Sequence, residues 1–364
     1  MSQPSLKGAR WIVAGAGVLG ASVAWKLAQA GADVVLCDPA AAGDNASGIA
    51  AGMLAPAMEA ALDPETGLDF PALAAARDLW SSFAQEAGIA LDRSGALLAG
   101  THAERIAAQL AAIGAAHRIL SGADAAVLSS GLTAAHPAVF TPEDWRLDAP
   151  AALACLTAAA QGAGVRVVLA ALTGFEPGRA ALSTGETLAA DGLVAATGWG
   201  AATAWGASLA PELSVLVPIK GQILRSTAGP TDGPVVRGEG VYVAPGPQGA
   251  VIGATMQAGV SDRRIEPEAV QRLLTKASAL FPSLADAPNT PSAAVRAASP
   301  DGLPLVGRSR KTGVLVAVGA RRNGWLLAPM IAGEVVRLAA GQDAGLAAFD
   351  PGRFAAGTAV QARN

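Results

Sequence analysis

The chain has 364 residues, a length typical of about two domains, and its 52% hydrophobic and 15% charged content excludes an intrinsically disordered protein. Its net charge of −3, from 26 basic and 29 acidic residues, does not indicate binding to nucleic acid or to an anionic membrane. No apolar run approaches the ~20 residues of a transmembrane helix, and the N-terminus lacks a signal-peptide core, so we expect a cytoplasmic protein. The two cysteines and three histidines lack metal-ligand spacing, so we predict no metal site.

The chain opens with a predicted βαβ unit. A buried strand over 10–14 leads into GAGVLG at 15–20, a helix over 18–30 follows, and a second strand over 33–37 ends at Asp38. In this motif the first glycine makes the turn, the second lets the backbone approach a pyrophosphate, and the third lets helix and strand pack. An acidic residue after the second strand can bind ribose hydroxyls. We therefore predict a dinucleotide site that includes Gly15, Gly17, Val18, Leu19, Gly20 and Asp38.

The rest of the chain carries further helical and strand patterns. Residues 213–226 are predicted to form a strand with a bulge at 220–222, and a β-hairpin is predicted around 241–254. This β-rich middle lies between the βαβ unit and a late strand–helix pair, which predicts a nucleotide-binding domain interrupted by a mixed sheet domain. Predicted helices cover 73–88, 102–114, 145–162, 267–281 and 325–338, and further strands cover 165–169, 192–196 and 315–319.

Several side chains are candidates for binding a substrate. Arg296 lies among small residues in AAVRAAS, and Arg322 lies in the glycine-bounded entry to the last helix. A buried guanidinium needs an anion and matches a carboxylate best, so each is a substrate clamp, part of a structural salt bridge or an exposed arginine. Tyr242, the only tyrosine, either binds a carboxylate or is a core residue with its hydroxyl at the rim. Met53 either lines the site or packs in the core.

The glycine motif is shared by FAD and NAD proteins. An NAD enzyme typically keeps its cofactor within the first ~150 residues, whereas a flavoprotein of this kind also uses late segments. The helix after Asn323 and Gly324 could point its positive end at the flavin ring, or it could be an ordinary surface helix. The local sequence leaves this choice open.

Several longer strings taken together resemble the D-amino-acid-oxidase-like (DAO) superfamily of FAD oxidoreductases, and most of all its thiamine-pathway glycine oxidase branch. They occur in the family's order over nearly the whole chain. The strings are GAGVLGASVAWKLAQAGADVVLCD, SGIAAGMLAP, AATGWG, VPIKGQIL, VYVAP, VIGATM, VRAASPDGLPLVG and VGARRNGWLLAPMIAGEVV.

The resemblance implies an α/β (overall α+β) fold: a Rossmann-like FAD-binding domain with an inserted substrate domain built on an antiparallel sheet. The implied FAD domain comprises 1–88, 142–212 and 297–364, and the substrate domain comprises 89–141 and 213–296. The implied reaction is oxidation of the Cα–N bond of a small amino acid or amine, with hydride transfer to flavin. Its products are a 2-oxo acid, ammonia and, with O2 as acceptor, H2O2. The cofactor supplies the redox chemistry while the protein orients the substrate.

The resemblance also assigns residues. Arg296 matches the substrate-carboxylate arginine, Tyr242 its tyrosine partner, Arg322 a second active-site arginine, and Met53 the flavin-pocket lining. Besides the βαβ residues and Met53, the matched cofactor positions are Ala46, Ser47, Ala50, Ala51, Gly52, Leu54, Thr173, Gly198, Trp199, Arg321, Arg322, Asn323, Gly324, Trp325 and Leu326.

The chain departs from the family pattern at several positions. Asp38 replaces the common glutamate, Ala320 stands where a histidine is frequent, and Gly246 follows Pro245 where an arginine is frequent. The C-terminal region has no cysteine, so we predict noncovalent FAD, and the resemblance suggests a homotetramer. The alternatives are a D-amino-acid or sarcosine-like dehydrogenase with another acceptor, a flavin-binding subunit without turnover and, more distantly, an NAD dehydrogenase.

Overall fold

The computed structural model describes residues 5–63, 67–202 and 204–354. Its strands are β1 (Arg10–Ala14), β2 (Asp33–Asp38), β3 (Met53–Leu54), β4 (Ala96–Ala99), β5 (Arg118–Leu120), β6 (Ala138–Thr141), β7 (Trp145–Arg146), β8 (Arg166–Leu169), β9 (Leu172–Glu176), β10 (Gly178–Leu182), β11 (Thr187–Ala190), β12 (Gly192–Ala195), β13 (Val217–Ser226), β14 (Val235–Gly238), β15 (Val241–Gly246), β16 (Gly249–Gly253), β17 (Gln257–Ala258), β18 (Asn289–Ala298), β19 (Leu305–Arg308) and β20 (Val314–Val318).

Helices cover the faces and edges of the sheets. They are α1 (Val18–Gln29), α2 (Ala46–Ile49), α3 (Pro56–Leu62), α4 (Phe70–Asp78), α5 (Trp80–Ala87), α6 (Ala103–Ala112), α7 (Gly122–Leu128), α8 (Ala149–Gly162), α9 (Ala204–Leu209), α10 (Pro267–Leu280) and α11 (Gly324–Ala339).

The first large sheet is mainly parallel and has the order β19–β20–β12–β1–β2–β8. β1 lies between β12 and β2, parallel to both, and only β19 pairs antiparallel with its neighbour among the described strands of this sheet. Helices α1, α8 and α11 pack together with the sheet in one buried apolar cluster. Parallel sheets bind ligands beyond the carboxyl ends of their strands, which places the expected dinucleotide site after β1 and β12.

The second large sheet is mainly antiparallel. Its strands follow the order β18–β13–β16–β15–β14–β4–β6–β5, and the short β17 also pairs with β13. Side chains alternate between its faces. One face packs on α10 through Leu273, Ala277 and Leu280, whereas the other packs on α3 and α6 through Met58 and Ile106.

The mixed α/β architecture predicted from the sequence is confirmed, and so is the hairpin, formed by β15 and β16. Gly31, with φ of +95°, ends the first helix as expected. The domain boundaries stay a prediction.

Several local predictions were wrong. The helix predicted over 73–88 is divided into α4 and α5 around Leu79. The helix predicted from Trp145 begins at Ala149, because Trp145 and Arg146 pair with β3 and the Asp148 carboxylate caps the backbone N–H of Ala151 at 3.1 Å.

The strand predicted from Leu213 starts at Val217, after a 3₁₀ helix over Pro211–Val215. The bulge expected in it is not present in its pairing with β18, which keeps one register from Val217 to Ser226. The ladder on its other edge changes from β17 to β16 between Lys220 and Ile223.

Trp80 anchors the start of α11. Its indole N–H lies 3.0 Å from the carbonyl oxygen of Trp325 and 3.2 Å from that of Leu326, and its ring is fully buried. It also packs edge-on against Phe83, with ring centroids 5.2 Å apart. The first turn of α11 is therefore fixed by a residue of α5 that is remote in sequence.

We expect Trp80→Ala to lower the free energy of unfolding by about 3–5 kcal/mol, because it leaves a large cavity and removes a buried donor. Urea denaturation measures the change. Val127→Ala, at a side chain that is 84% exposed, is the control and should change stability by less than about 0.5 kcal/mol. Equal effects of the two substitutions would contradict this role of Trp80.

Asp144 caps the N-terminus of α3 from inside the protein. Its carboxyl group accepts a hydrogen bond from the backbone N–H of Ala57 at 2.8 Å and a longer one from that of Met58. Burial raises the pKa of Asp144 to about 7, against the opposing effect of the Arg237 charge. The folded protein therefore binds a proton at this position more tightly than the unfolded chain does.

The stabilisation from protonated Asp144 should be complete below pH 4 and lost as the pH rises through about 7, with a slope on the order of 1 kcal/mol per pH unit in between. Asp144→Asn should flatten this part of the stability–pH curve, measured by urea denaturation from pH 4 to 8. A variant curve parallel to that of the wild type would show that another group is responsible.

Candidate active site

The glycine motif forms a close junction of backbones after β1. Gly15 has φ of +104°, and a Cβ atom there would lie 2.4 Å from the carbonyl oxygen of Ala196. A Cβ atom on Gly20 would lie 1.8 Å from the carbonyl oxygen of Gly15. Neither position accepts a side chain, so α1 and β12 can approach β1 only because these residues are glycines.

The first turn of α1 is held by a loop from farther along the chain. The hydroxyl of Ser47 accepts a hydrogen bond from the backbone N–H of Val18 at 3.0 Å, and a Cβ atom on Gly17 would lie 3.2 Å from the same oxygen. The carboxylate of Asp38 accepts hydrogen bonds from the backbone N–H groups of Ala16 (2.7 Å) and Ala40 (2.8 Å). Each oxygen keeps a further lone pair for a ligand hydroxyl.

A cavity of about 310 Å³ lies over this junction, at the carboxyl ends of β1 and β12. Its lining joins the start of α1 to the entry of α11. Of the sequence candidates it includes Gly15, Gly17, Val18, Leu19, Asp38, Ala46, Ser47, Gly198, Trp199, Arg296, Arg321 and Gly324.

A second cavity, of about 530 Å³, lies against the antiparallel sheet. Ala46, Ala294 and Arg296 line both cavities, so the two adjoin. Of the sequence candidates the larger cavity is lined by Ala46, Ala50, Ala51, Gly52, Met53, Tyr242, Arg296, Arg322, Asn323 and Trp325.

Four candidates lie elsewhere. Leu54 and Leu326 are buried in the apolar core and line neither cavity. Gly20 provides the close packing of α1 on β1. Thr173 lies on β9 of the separate sheet β9–β10–β11, where its hydroxyl donates to the carbonyl oxygen of Ala181 at 3.1 Å.

Arg296 lies where the two cavities meet. Its side chain extends from β18 across β13, and its guanidinium rests on Gly221, where a Cβ atom would lie 2.3 Å from Nη1. Within the described residues its side-chain hydrogen bond goes to the sulphur of Met256, at 3.5 Å, and not to a carboxylate. Burial lowers the pKa of Arg296, and the charges of Arg322 and Arg321 lower it further. Arginine remains a cation at neutral pH, so this charge is available to an anionic ligand.

Tyr242 lies on the same face of the sheet, on β15. It pairs directly with Gly253, and a Cβ atom there would lie 2.3 Å from the phenol oxygen. Burial raises the pKa of Tyr242, although the charges of Arg296 and Arg237 oppose this effect. The phenol is therefore protonated at neutral pH and can donate a hydrogen bond into the cavity.

Arg322 lines the larger cavity, but it is already paired with carboxylates. It forms a salt bridge with Glu59, and its Nη2 lies 3.0 Å from Asp63. Arg321, with φ of +51°, also binds Asp63. The two arginines tie the entry of α11 to α3, and only Arg296 among the three predicted arginines has no carboxylate within salt-bridge distance in the described residues.

Glu59, Asp63, Arg237 and Asp144 were missed by the sequence analysis. Glu59 is buried in α3 among alanines and a methionine. A single acidic residue in a short apolar helix is a detectable signal, because a buried carboxylate needs a cation. Arg237 in VVRG is a similar signal, since apolar residues precede it as they precede Arg296.

In the described parts of the chain, no helix is both long and apolar enough to cross a membrane.

The comparisons with known proteins agree with this geometry. The family model described as "DAO: FAD dependent oxidoreductase" matches residues 10–338. Glycine oxidase of Geobacillus kaustophilus (strain HTA426) is 30% identical over 338 residues, covering 87% of this chain and 89% of that protein. A putative thiamine biosynthesis oxidoreductase ThiO of Rhizobium etli is 31% identical over 336 residues, covering 90% and 95%. The crystal structure of the Geobacillus kaustophilus glycine oxidase matches with a TM-score of 0.81 and 28% identity, covering 94% and 98%.

The residues present fit FAD. The junction at Gly15 leaves backbone open toward a pyrophosphate, and the Asp38 carboxylate has lone pairs for a ribose. The start of α11 lines the larger cavity through Asn323 and the smaller one through Gly324, so a flavin ring in these cavities would lie at its positive end. The chain therefore belongs to the DAO family of FAD-dependent oxidoreductases.

Proposed function

We propose that this protein is an amino-acid oxidase that acts on glycine or a similarly small amine, with noncovalently bound FAD and O2 as acceptor. The names of the relatives also support a role in thiamine biosynthesis. The observation that carries the proposal is the position of Arg296, a cation without a carboxylate partner in the described residues, at the junction of the two cavities.

Two side chains orient the substrate in this proposal. The Arg296 guanidinium binds the substrate carboxylate, and the Tyr242 phenol donates a second hydrogen bond to it. Charge-assisted bonds of this kind fix orientation as well as affinity. Because both groups lie on one face of the sheet and line the same cavity, they would hold the substrate in one orientation relative to the flavin ring.

The remaining proposed contacts hold the cofactor. The start of α1 would bind the pyrophosphate, and Asp38 would bind the ribose. The loop from Ala46 to Met53 and the entry of α11 would enclose the flavin ring. When bound, the flavin would supply an acceptor for the hydride of the Cα–H bond, and O2 would take up the two electrons to give H2O2. The substrate nitrogen loses a proton as the C=N bond forms, and water then hydrolyses the imine to a 2-oxo acid and ammonia.

A visible spectrum of the purified protein tests for flavin, and an aerobic peroxide assay with glycine, sarcosine, D-alanine and D-proline tests the oxidase. Bound flavin with glycine-dependent peroxide supports the proposal. Flavin that bleaches under argon and reduces a dye, but yields little peroxide, would indicate the alternative dehydrogenase. Flavin that none of these amines bleaches would indicate a binding subunit or another substrate.

Arg296→Ala should raise the KM for glycine about 10- to 100-fold, because a charged hydrogen-bonded pair contributes roughly 1.5–3 kcal/mol, and Arg296→Lys should recover part of the loss. Steady-state kinetics measure both. Arg166→Ala is the control, since Arg166 pairs with Glu186 on the surface of the first sheet. Unchanged glycine kinetics in Arg296→Ala would remove the proposed role.

Gly221→Ala should raise the KM severalfold while the FAD content stays unchanged, because the new methyl group displaces the Arg296 guanidinium. Gly174→Ala is the matched control: it is also in a strand, and its Cβ atom would lie 3.9 Å from its nearest neighbour. Kinetics and the flavin-to-protein absorbance ratio are measured for both. If Gly221→Ala behaves like Gly174→Ala, the position of Arg296 over Gly221 does not matter for binding.

A further inference from the structure

Arg237 is a second arginine on the face of the sheet that carries Arg296. It lies on β14 and pairs across the ladder with Tyr242 of β15, which in turn pairs with Gly253 of β16. All three line the larger cavity. Side chains opposite each other on neighbouring strands point to the same face, so Arg237 and Arg296 are directed to the same cavity from two sides of Tyr242.

The positive charge of Arg237 is poorly compensated by the protein. Its side chain is only 14% exposed, and its nearest carboxylate oxygen, Oε1 of Glu59, lies 3.5 Å from Nη2. Its Nη2 also contacts the Met53 sulphur at 3.5 Å, while its Nε is buried without a hydrogen-bond partner in the described structure. A buried donor without a partner is costly, and a bound anion would remove that cost.

The neighbouring carboxylates are already in use. Glu59 binds Arg322 through its other oxygen, and Asp63 binds Arg321 and Arg322. The buried Asp144 is occupied by the backbone N–H groups of α3. Glu59 and Asp63 thus already form salt bridges with Arg321 and Arg322. With Arg237 added, the cluster has three arginines and two of these carboxylates, so the wall of the cavity has an excess of positive charge.

Resting on the proposed function, we propose that Arg237 binds a second anionic group of the substrate. The substrate class is then a small amino acid or amine with two carboxylates. Arg296 binds the carboxylate beside the reacting carbon, and Arg237 binds the distal one.

The floor between the two arginines suits such a molecule. The Arg296 guanidinium lies over Gly221 of β13, and β14, which carries Arg237, is three strand spacings away, about 14 Å. Gly253 and Gly221 carry no side chains, and the Tyr242 phenol and the Arg296 guanidinium lie over them, so polar groups cover this part of the floor.

The test compares substrates that differ by one carboxylate: sarcosine with N-(carboxymethyl)glycine, and D-alanine with D-aspartate. Flavin bleaching under argon, followed by stopped flow, gives the rate and apparent Kd for each. We expect at least a tenfold preference for the dicarboxylate in at least one pair. Arg237→Met should abolish that preference, Arg237→Lys should retain part of it, and the surface control Arg166→Met should keep it.

A binding experiment separates this inference from the proposed function. Malonate and acetate are titrated into the FAD-loaded protein, and the flavin spectrum and melting temperature are recorded. If malonate binds more tightly than acetate and Arg237→Met removes this difference, the distal anion site is supported. This holds even if no amine in the panel bleaches the flavin. The absence of bleaching would count against the proposed function alone.

Two outcomes overturn the inference. One is turnover of the monocarboxylates with no dicarboxylate preference and no effect of Arg237→Met on the ratio, and in that case the proposed function stands. The other is a change in the flavin spectrum or the FAD content of Arg237→Met while the preference for dicarboxylate over monocarboxylate substrates stays unchanged. That result would place Arg237 against the cofactor.

Discussion

Close approach between backbones is the constraint on which both halves of this protein depend. At Gly15 and Gly20, a strand, a helix and the neighbouring strand meet within distances that no side chain tolerates. In the antiparallel sheet, Gly221 and Gly253 leave the space that the Arg296 guanidinium and the Tyr242 phenol occupy. In both halves, glycines without side chains form part of the cavity wall. Few polar groups therefore line the cavities, and each occupies a defined position.

The charges around the cavity form two groups with different roles. Arg321 and Arg322 are neutralised by Glu59 and Asp63, and together they join α3 to the start of α11. This pairing fixes the helix end that faces the cofactor region. Arg296 lies outside it, and Arg237 contacts it only through Oε1 of Glu59 at 3.5 Å, so both line the cavity with less compensation from carboxylates. The four arginines thus differ in their carboxylate partners. Arg321 and Arg322 pair closely with Glu59 and Asp63, Arg237 lies 3.5 Å from Glu59, and Arg296 has no carboxylate within salt-bridge distance in the described residues.

Local patterns predicted a large part of the fold and of the cofactor region. The glycine motif, the strand ending at Asp38 and the β-hairpin depend on neighbours in sequence, and the structure confirms them. Long-range pairing decided the rest. Trp145 joins a strand with β3 instead of starting a helix, and the role of Arg322 depends on Glu59, 263 residues away. Arg237 and Arg296 share a face only through the order of β14, β15, β16, β13 and β18, which no single segment encodes.

β18 links the two large sheets through consecutive residues. Arg296 faces the cavity, Ala297 accepts a hydrogen bond from the backbone N–H of Arg321 at 3.0 Å, and Ala298 forms a bridge with Ala320 just before α11. Arg296, the proposed carboxylate anchor, is therefore one peptide unit away from the backbone contact with the entry of α11. A shift of this strand would therefore move the Arg296 side chain and disturb the backbone contacts with Ala320 and Arg321 together. A replaced side chain on β14, on the far side of the cavity, would alter the lining and leave the backbone of β18 in place.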